Sequence, residues 1–355
     1  MITSNRRYDI DWVRVIAIGL LLLYHVAIGF QPWGIMIGFI ANEKSWEALW
    51  IPMTMLNVWR IPLLFFVSGM GVYCAIQNRN WKQLLQERVG KILLPFLFGV
   101  FVIVPINVLI WQYHYHWQLN YNPNPGHLWF LGNIFVYVVL LSPIFFYLKG
   151  NENGKLVTWV KKLFSNPLGL LPVIAVFIAE ALLVDPNPYE LYAMAWHGFF
   201  LGLLAFFFGF CFVLCGDTFW VMLLKWKWMF IVVAVALYIY RWSQFQMRVP
   251  AYQLAIESNF WIISVFAFGY KYLNHPSKAL DYLSQAAYPV YILHMIFLFL
   301  GSMLIFPLDI EVHLQFILVL LFTGVGCFVS YEFFIRRVNI IRSLFGLKMK
   351  RYTVK

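Results

Sequence analysis

Residues 6–30 read RRYDIDWVRVIAIGLLLLYHVAIGF, and this stretch decides the class of the fold. From Trp12 onward it is apolar over about the 20 residues that a membrane span requires, interrupted only by Arg14 and His25. Arg6 and Arg7 precede it, but it has no small-residue cleavage site, so it reads as a retained first span rather than a signal peptide. Eleven residues separate Arg14 from His25, which is about 16.5 Å of helix rise and about 20° of rotation. The two side chains therefore share one face, with Arg14 near the cytoplasmic surface and His25 near the bilayer middle. Ionisable groups at depth are costly and by default mark a polar cavity, a pathway or a site. Snorkelling would account for Arg14 alone, and a helix-packing hydrogen bond for His25 alone. Their shared stripe, with Asp11 one turn before Arg14, favours function, because histidine is suited to take and return a proton near neutral pH.

The rest of the chain agrees with a membrane setting. Of 355 residues, 62% are hydrophobic, 20% aromatic and only 12% charged, with a mean hydropathy of +0.74. A soluble domain carries about 25% charged residues, so this chain could not cover a water-facing surface. Apolar stretches near 12–31, 58–77, 92–111, 127–148, 167–184, 196–215, 228–240, 254–273, 286–306 and 314–335 predict an all-α polytopic transmembrane helix bundle of about ten spans. The seventh is short and could begin nearer Phe219, and 46–57 reads as an interfacial stretch before the second span. With the N-terminus cytoplasmic, 21 of the 26 lysines and arginines fall inside, leaving Arg14 within the first span and Lys44, Arg60, Arg241 and Arg248 outside. That bias places both termini in the cytoplasm. The net charge of +11 is thus mostly topological, and no nucleic-acid partner is implied. Residues 1–335 form one transmembrane domain and 336–355 a basic cytoplasmic tail at the membrane surface. No internal repeat or broken helix is evident. Cys74, Cys211, Cys215 and Cys327 lie in apolar runs and read as small buried side chains; no metal is implied.

Other candidate residues carry two readings each. Arg60, at the outer end of the second span, suits an acceptor, an acyl carboxylate or an internal acid. Ser68 and Gly69 suit either substrate contact or close helix packing. The four cations of the 78–91 loop would attract anionic lipid or a phosphate-rich ligand, with Arg88 and Lys91 nearest the spans. The outer loop 112–126, QYHYHWQLNYNPNPG, suits a carbohydrate, although interfacial aromatic belts explain Tyr113 and Trp117 equally. Glu180 is either neutral or paired with a base. Glu257 is a further polar group in a span, and Tyr291 and His294 share a helical face three residues apart, where His294 reads either as lining the cavity or, the better single reading, as a hydrogen-bonded core histidine.

Five segments together resemble a known family. Arg14 and His25 stand with ten residues between them, followed by WRIPLLFFVSGMGVY at 59–73, ERVGKILLPF at 87–96, GHLWFLGNIFVY at 126–137 and AAYPVYILH at 286–294. This ordered set resembles the acyltransferase-3 group of membrane O-acyltransferases, and HLWFL with FFVSG looks especially like the branch that succinylates periplasmic glucans. The resemblance implies a multi-pass protein of the bacterial inner membrane. It implies transfer of an acetyl or succinyl group from cytoplasmic acyl-CoA to a hydroxyl of an extracytoplasmic carbohydrate. By it, His25 is the catalytic base and Arg14 its partner, Arg88 and Lys91 contact the CoA, and Arg60, Ser68, His127, Trp129, Tyr291 and His294 are candidates for substrate contact. One departure stands out: Lys91 falls where the family often has a second arginine, and lysine lacks the planar fork that grips phosphate with two bonds. Two other classes compete, an exporter of a saccharide or small metabolite using Arg14, Arg60, Glu180 and His25, and a structural subunit of a polysaccharide machine. The second does not explain Arg14 and His25.

Overall fold

The computed structural model describes residues 6–349; positions 350–355 of the basic tail lie outside the described residues. Ten long helices follow one another: α1 (Tyr8–Ile28), α2 (Trp50–Ile76), α3 (Trp81–His114), α4 (Gly126–Gly150), α5 (Pro167–Val184), α6 (Trp196–Leu214), α7 (Asp217–Ser243), α8 (Ala251–Leu273), α9 (Lys278–Ile305) and α10 (Val312–Ile335). The protein is 79% helical, with no strand among the described residues. Helices satisfy their own backbone polar groups, which lipid cannot do. Nine of the ten are long and apolar enough to cross a membrane. The exception is α8, which has the length at 23 residues but carries Glu257, Ser258, Asn259 and Ser264. All four are buried, so its polar groups face protein.

Several boundaries differ from the sequence reading. Helix α2 begins at Trp50 and absorbs most of the expected interfacial stretch, because Pro52 stands in the first helical turn, where a missing N–H breaks nothing. Arg60 consequently lies well inside α2 and not at its outer end. Helix α3 begins at Trp81, so most of the basic 78–91 loop is helix, as WKQLLQER, rich in good helix formers, allows. Helix α7 starts at Asp217, which lengthens the short seventh span. His25 falls in the last turn of α1. Helix irregularities invisible to hydropathy also occur: single π-turns at Val89–Leu93, Gly99–Ile103 and Tyr331–Ile335, and prolines 62, 143 and 289 inside α2, α4 and α9. Cys211, Cys215 and Cys327 are buried, whereas Cys74 faces outward.

The chain divides into two compact units. Among the described residues, the first comprises residues 6–17, 55–85 and 136–280; the second comprises 18–54, 86–135 and 281–349. In the first unit α8 packs along α7 and against α5. Helices α2 and α6 meet through a glycine seam. A Cβ on Gly69 would strike the Phe206 carbonyl oxygen, and one on Gly209 would strike that of Phe66. Small residues let membrane helices approach to backbone contact, and the packing reading accounts for Gly69. Ser68 fits it as well, since its hydroxyl donates to the Leu64 carbonyl at 2.7 Å.

In the second unit the segment between α1 and α2 is tied down by polar side chains. Asn42 Nδ2 donates to Gln315 Oε1 at 2.7 Å, both residues being buried. Gln315 Nε2 in turn donates to the carbonyls of Phe306 and Leu308 at 3.1 and 2.9 Å. Lys44 Nζ meets Asp309 Oδ1 at 2.7 Å, and this lysine holds the Asp309 carboxyl below its usual range. Gly126 has a φ of +46° at the turn into α4, and a Cβ there would crowd Val104.

Candidate active site

The second unit gathers four of the sequence-predicted residues into one hydrogen-bonded group. His25 Nδ1 lies 2.7 Å from His294 Nε2. The two rings are nearly coplanar, at 13°, with centroids 5.0 Å apart. The nitrogen–nitrogen contact takes up more than half of that separation, so the rings meet end to end in one plane. His294 Nδ1 lies 2.7 Å from the Tyr291 carbonyl oxygen, and His294 is fully buried.

His127 and Tyr291 clamp α4 to α9 reciprocally within this unit. The Tyr291 hydroxyl donates to the His127 carbonyl at 2.6 Å, and His127 Nε2 lies 3.1 Å from the Ile292 carbonyl. The His127 ring stands edge-on to His294, with centroids 5.0 Å apart. Trp129 is next in line: its ring lies 6.4 Å from Phe130, which lies 6.4 Å from Tyr291. Pro289, two residues before Tyr291, donates no backbone N–H and so loosens the helix beside this group.

His25 is half-buried, and its ring lies 5.6 Å from that of Phe39. Phe39 is fixed by its carbonyl, which accepts from Trp111 Nε1 at 3.3 Å and from the Tyr115 hydroxyl at 3.4 Å. Trp111 and Tyr115 line a cavity of about 390 Å³ with Ile35, Met36, Gly38 and Trp117. Of the outer-loop aromatics, Trp117 lines this cavity, and both Trp117 and Tyr113 are exposed.

Arg88 and Lys91 also belong to the second unit. Lys91 Nζ is held by Glu87 Oε1 at 2.5 Å, one helical turn away. A Cβ on Gly346 would crowd the Lys91 carbonyl and the Tyr288 ring, so the chain after α10 packs closely beneath this part of α3.

Arg14, Arg60 and Ser68 lie in the first unit. Arg14 Nη1 is 3.3 Å from Asp11 Oδ1, and a Cβ on Gly71 would lie 3.5 Å from Arg14 Nη2. Because α1 is one unbroken helix from Tyr8 to Ile28, the shared face of Arg14 and His25 follows from its geometry. Arg60 is only 2% exposed.

The first unit also holds a polar group that the sequence reading found in part. Glu180 Oε1 lies 2.9 Å from His197 Nδ1, and Arg241 Nη2 lies 2.8 Å from Glu257 Oε1. Arg241, expected in an outer loop, is in the last turn of α7 and only 2% exposed. Glu190 is 4.0 Å from Arg241, and burial first, then Glu180, Glu190 and Glu257, push the Tyr189 hydroxyl well above its usual range. The signal for His197 was positional: it opens α6 just after the short connection from Glu180 in α5.

Among the comparisons with known proteins, a family model described as an acyltransferase domain, Acyl_transf_3, matches residues 7–332. No curated protein and no solved structure matches the chain. The match covers every one of the ten helices up to the last π-turn, and with it the histidine group, so the chain belongs to the acyltransferase-3 family and is a multi-pass membrane acyltransferase.

Proposed function

We propose that the protein transfers an acetyl or succinyl group from cytoplasmic acyl-CoA to a hydroxyl of a glucan or other envelope carbohydrate on the outer side of the bacterial inner membrane. One observation carries this reading. His25, a half-buried imidazole on the same helix as Arg14, is held at 2.7 Å by a second histidine in a chain of an acyltransferase family.

In this reading His25 takes the proton of the acceptor hydroxyl as its oxygen attacks the thioester carbonyl. The new C–O bond forms, the C–S bond breaks, and the departing thiolate takes the proton back from His25. A positioned base of this kind contributes about 10²–10⁴-fold. Arg14 offsets negative charge on the donor. Arg88 grips a phosphate with its planar fork, while Lys91 exchanges Glu87 for phosphate as a point charge. On the acceptor side, Phe39 joins His25 to the aromatic cavity of Trp111, Tyr115 and Trp117, whose ring faces suit sugar faces, with Trp129 as a further platform. His127 and Tyr291 frame the site. The likeness of HLWFL and FFVSG to the glucan-succinylating branch favours succinyl as the group moved.

The test uses membranes containing the full chain, supplied with acetyl-CoA or succinyl-CoA labelled in the acyl group. Label bound covalently to envelope carbohydrate supports the reading. Movement of unmodified saccharide across vesicles with no covalent label would favour an exporter instead.

A further inference from the structure

We infer that His294 is the positioning residue that fixes the tautomer of His25, leaving Nε2 of His25 as the basic nitrogen. The inference rests on the reading of His25 as the base and adds which atom acts and what holds it.

The Tyr291 carbonyl has lone pairs and no proton, so His294 Nδ1, 2.7 Å away, must carry the hydrogen of that contact. A neutral imidazole has one N–H, and His294 is fully buried. Its Nε2 therefore presents a lone pair. That lone pair points at His25 Nδ1 from 2.7 Å, in the plane of both rings, so His25 Nδ1 is the donor of the second contact. In neutral His25 the remaining lone pair then lies on Nε2. A carbonyl, an imidazole and an imidazole thus form a directed chain, with each hydrogen pointing back toward α9.

The chain also acts after proton transfer. When His25 Nε2 accepts the acceptor hydroxyl's proton, the ring becomes an imidazolium, and its Nδ1–H bond to His294 becomes charge-assisted and about twice as strong. The proton leaves from Nε2 to the thiolate and both rings return to their starting tautomers, so the cycle gains and loses no proton. His294 touches neither reactant in this scheme; it acts through His25. His127 takes a parallel role one step out, since its contact with the Ile292 carbonyl and the Tyr291 bond to its own carbonyl hold the α9 segment that carries His294.

The test joins a spectroscopic reading to a rescue. In the full chain reconstituted in lipid with ¹⁵N-labelled histidine, His25 is assigned by difference from His25→Ala. The expected spectrum shows His25 protonated at Nδ1 and bare at Nε2, and His294→Ala abolishes that preference. A wild-type His25 protonated at Nε2, or an unchanged tautomer in His294→Ala, would overturn the inference. In the transfer assay with labelled acyl-CoA, His294→Ala loses about 10²–10⁴-fold in kcat, the range a misplaced base forfeits, with KM little changed. His294→Gln, whose side-chain oxygen can accept from Nδ1, recovers most of the loss. If His294→Ala were as active as wild type while His25→Ala was inert, the positioning role would fail and the base reading would stand. If His25→Ala kept full activity, the base reading would fail, and the wild-type spectrum would still decide the tautomer.

Discussion

Each unit holds a histidine in a short ring-nitrogen contact, and the two contacts differ in both partner and access. In the first unit His197 is 1% exposed and faces the carboxylate of Glu180 at 2.9 Å. Its neighbourhood is closed by the rings of Tyr189 and Tyr192, at 4.7 and 5.4 Å, and Arg241 is likewise buried against Glu257. In the second unit His25 is half-buried and faces another imidazole. A carboxylate beside a sealed imidazole fixes charge in place and holds helix ends together. In the proposed reading, a neutral imidazole partner leaves the second nitrogen of His25 to act as the base. Two contacts of similar length therefore point to different work, one to holding helices and the other to moving a proton.

Substitutions can break this contrast at several strengths. The largest effect falls on His25→Ala, which removes the base and lowers acyl transfer by about 10²–10⁴-fold while membrane levels stay normal, as a blot against transfer rate shows. In the first unit, Gly69→Val drives a side chain into the Phe206 carbonyl and costs about 1–3 kcal/mol or more of stability, seen as a lower melting temperature in detergent. Glu180→Gln or His197→Phe unsettles one buried partner, costs about 1–3 kcal/mol, and lowers the melting temperature while activity per folded molecule is kept. A selective loss of kcat in Glu180→Gln at normal stability would erase the distinction between the two histidines. Arg88→Ala raises KM for acyl-CoA about tenfold with kcat unchanged, as loss of uniform donor binding requires. The smallest effect concerns Lys44 and Asp309. The carboxyl's folded value is lowered, so its contribution is present above the ordinary carboxylate range and is lost as pH falls through the lowered value. Asp309→Asn removes that acid sensitivity, measurable as protease access to the 306–311 loop.

The class of the fold was legible because composition and run length are additive properties of the sequence, and nine of the helices follow from them. Helix α8 was legible as a helix too, although its buried Glu257, Ser258 and Asn259 lower its hydropathy for reasons only packing reveals. Boundaries were less legible where helix continued past the apolar run, as at Trp50–Leu56 and Trp81–Arg88. The candidate site was half visible. Arg14 and His25 could be paired by helical periodicity, and Tyr291 with His294 by their spacing. The contact between His25 and His294 could not, because 269 positions separate them and no local pattern encodes which of two distant helices meet. Arg241 was misplaced for the same reason: a cation near a predicted helix end reads as a loop residue until its partner Glu257 is seen.

The central claim is that His25 performs acyl transfer, and the most direct measurement follows label from acyl-CoA in membranes carrying wild-type protein or His25→Ala at equal abundance. The account predicts covalent acyl label on envelope carbohydrate with wild-type protein and its loss with the variant. Equal covalent labelling by the two proteins would contradict it.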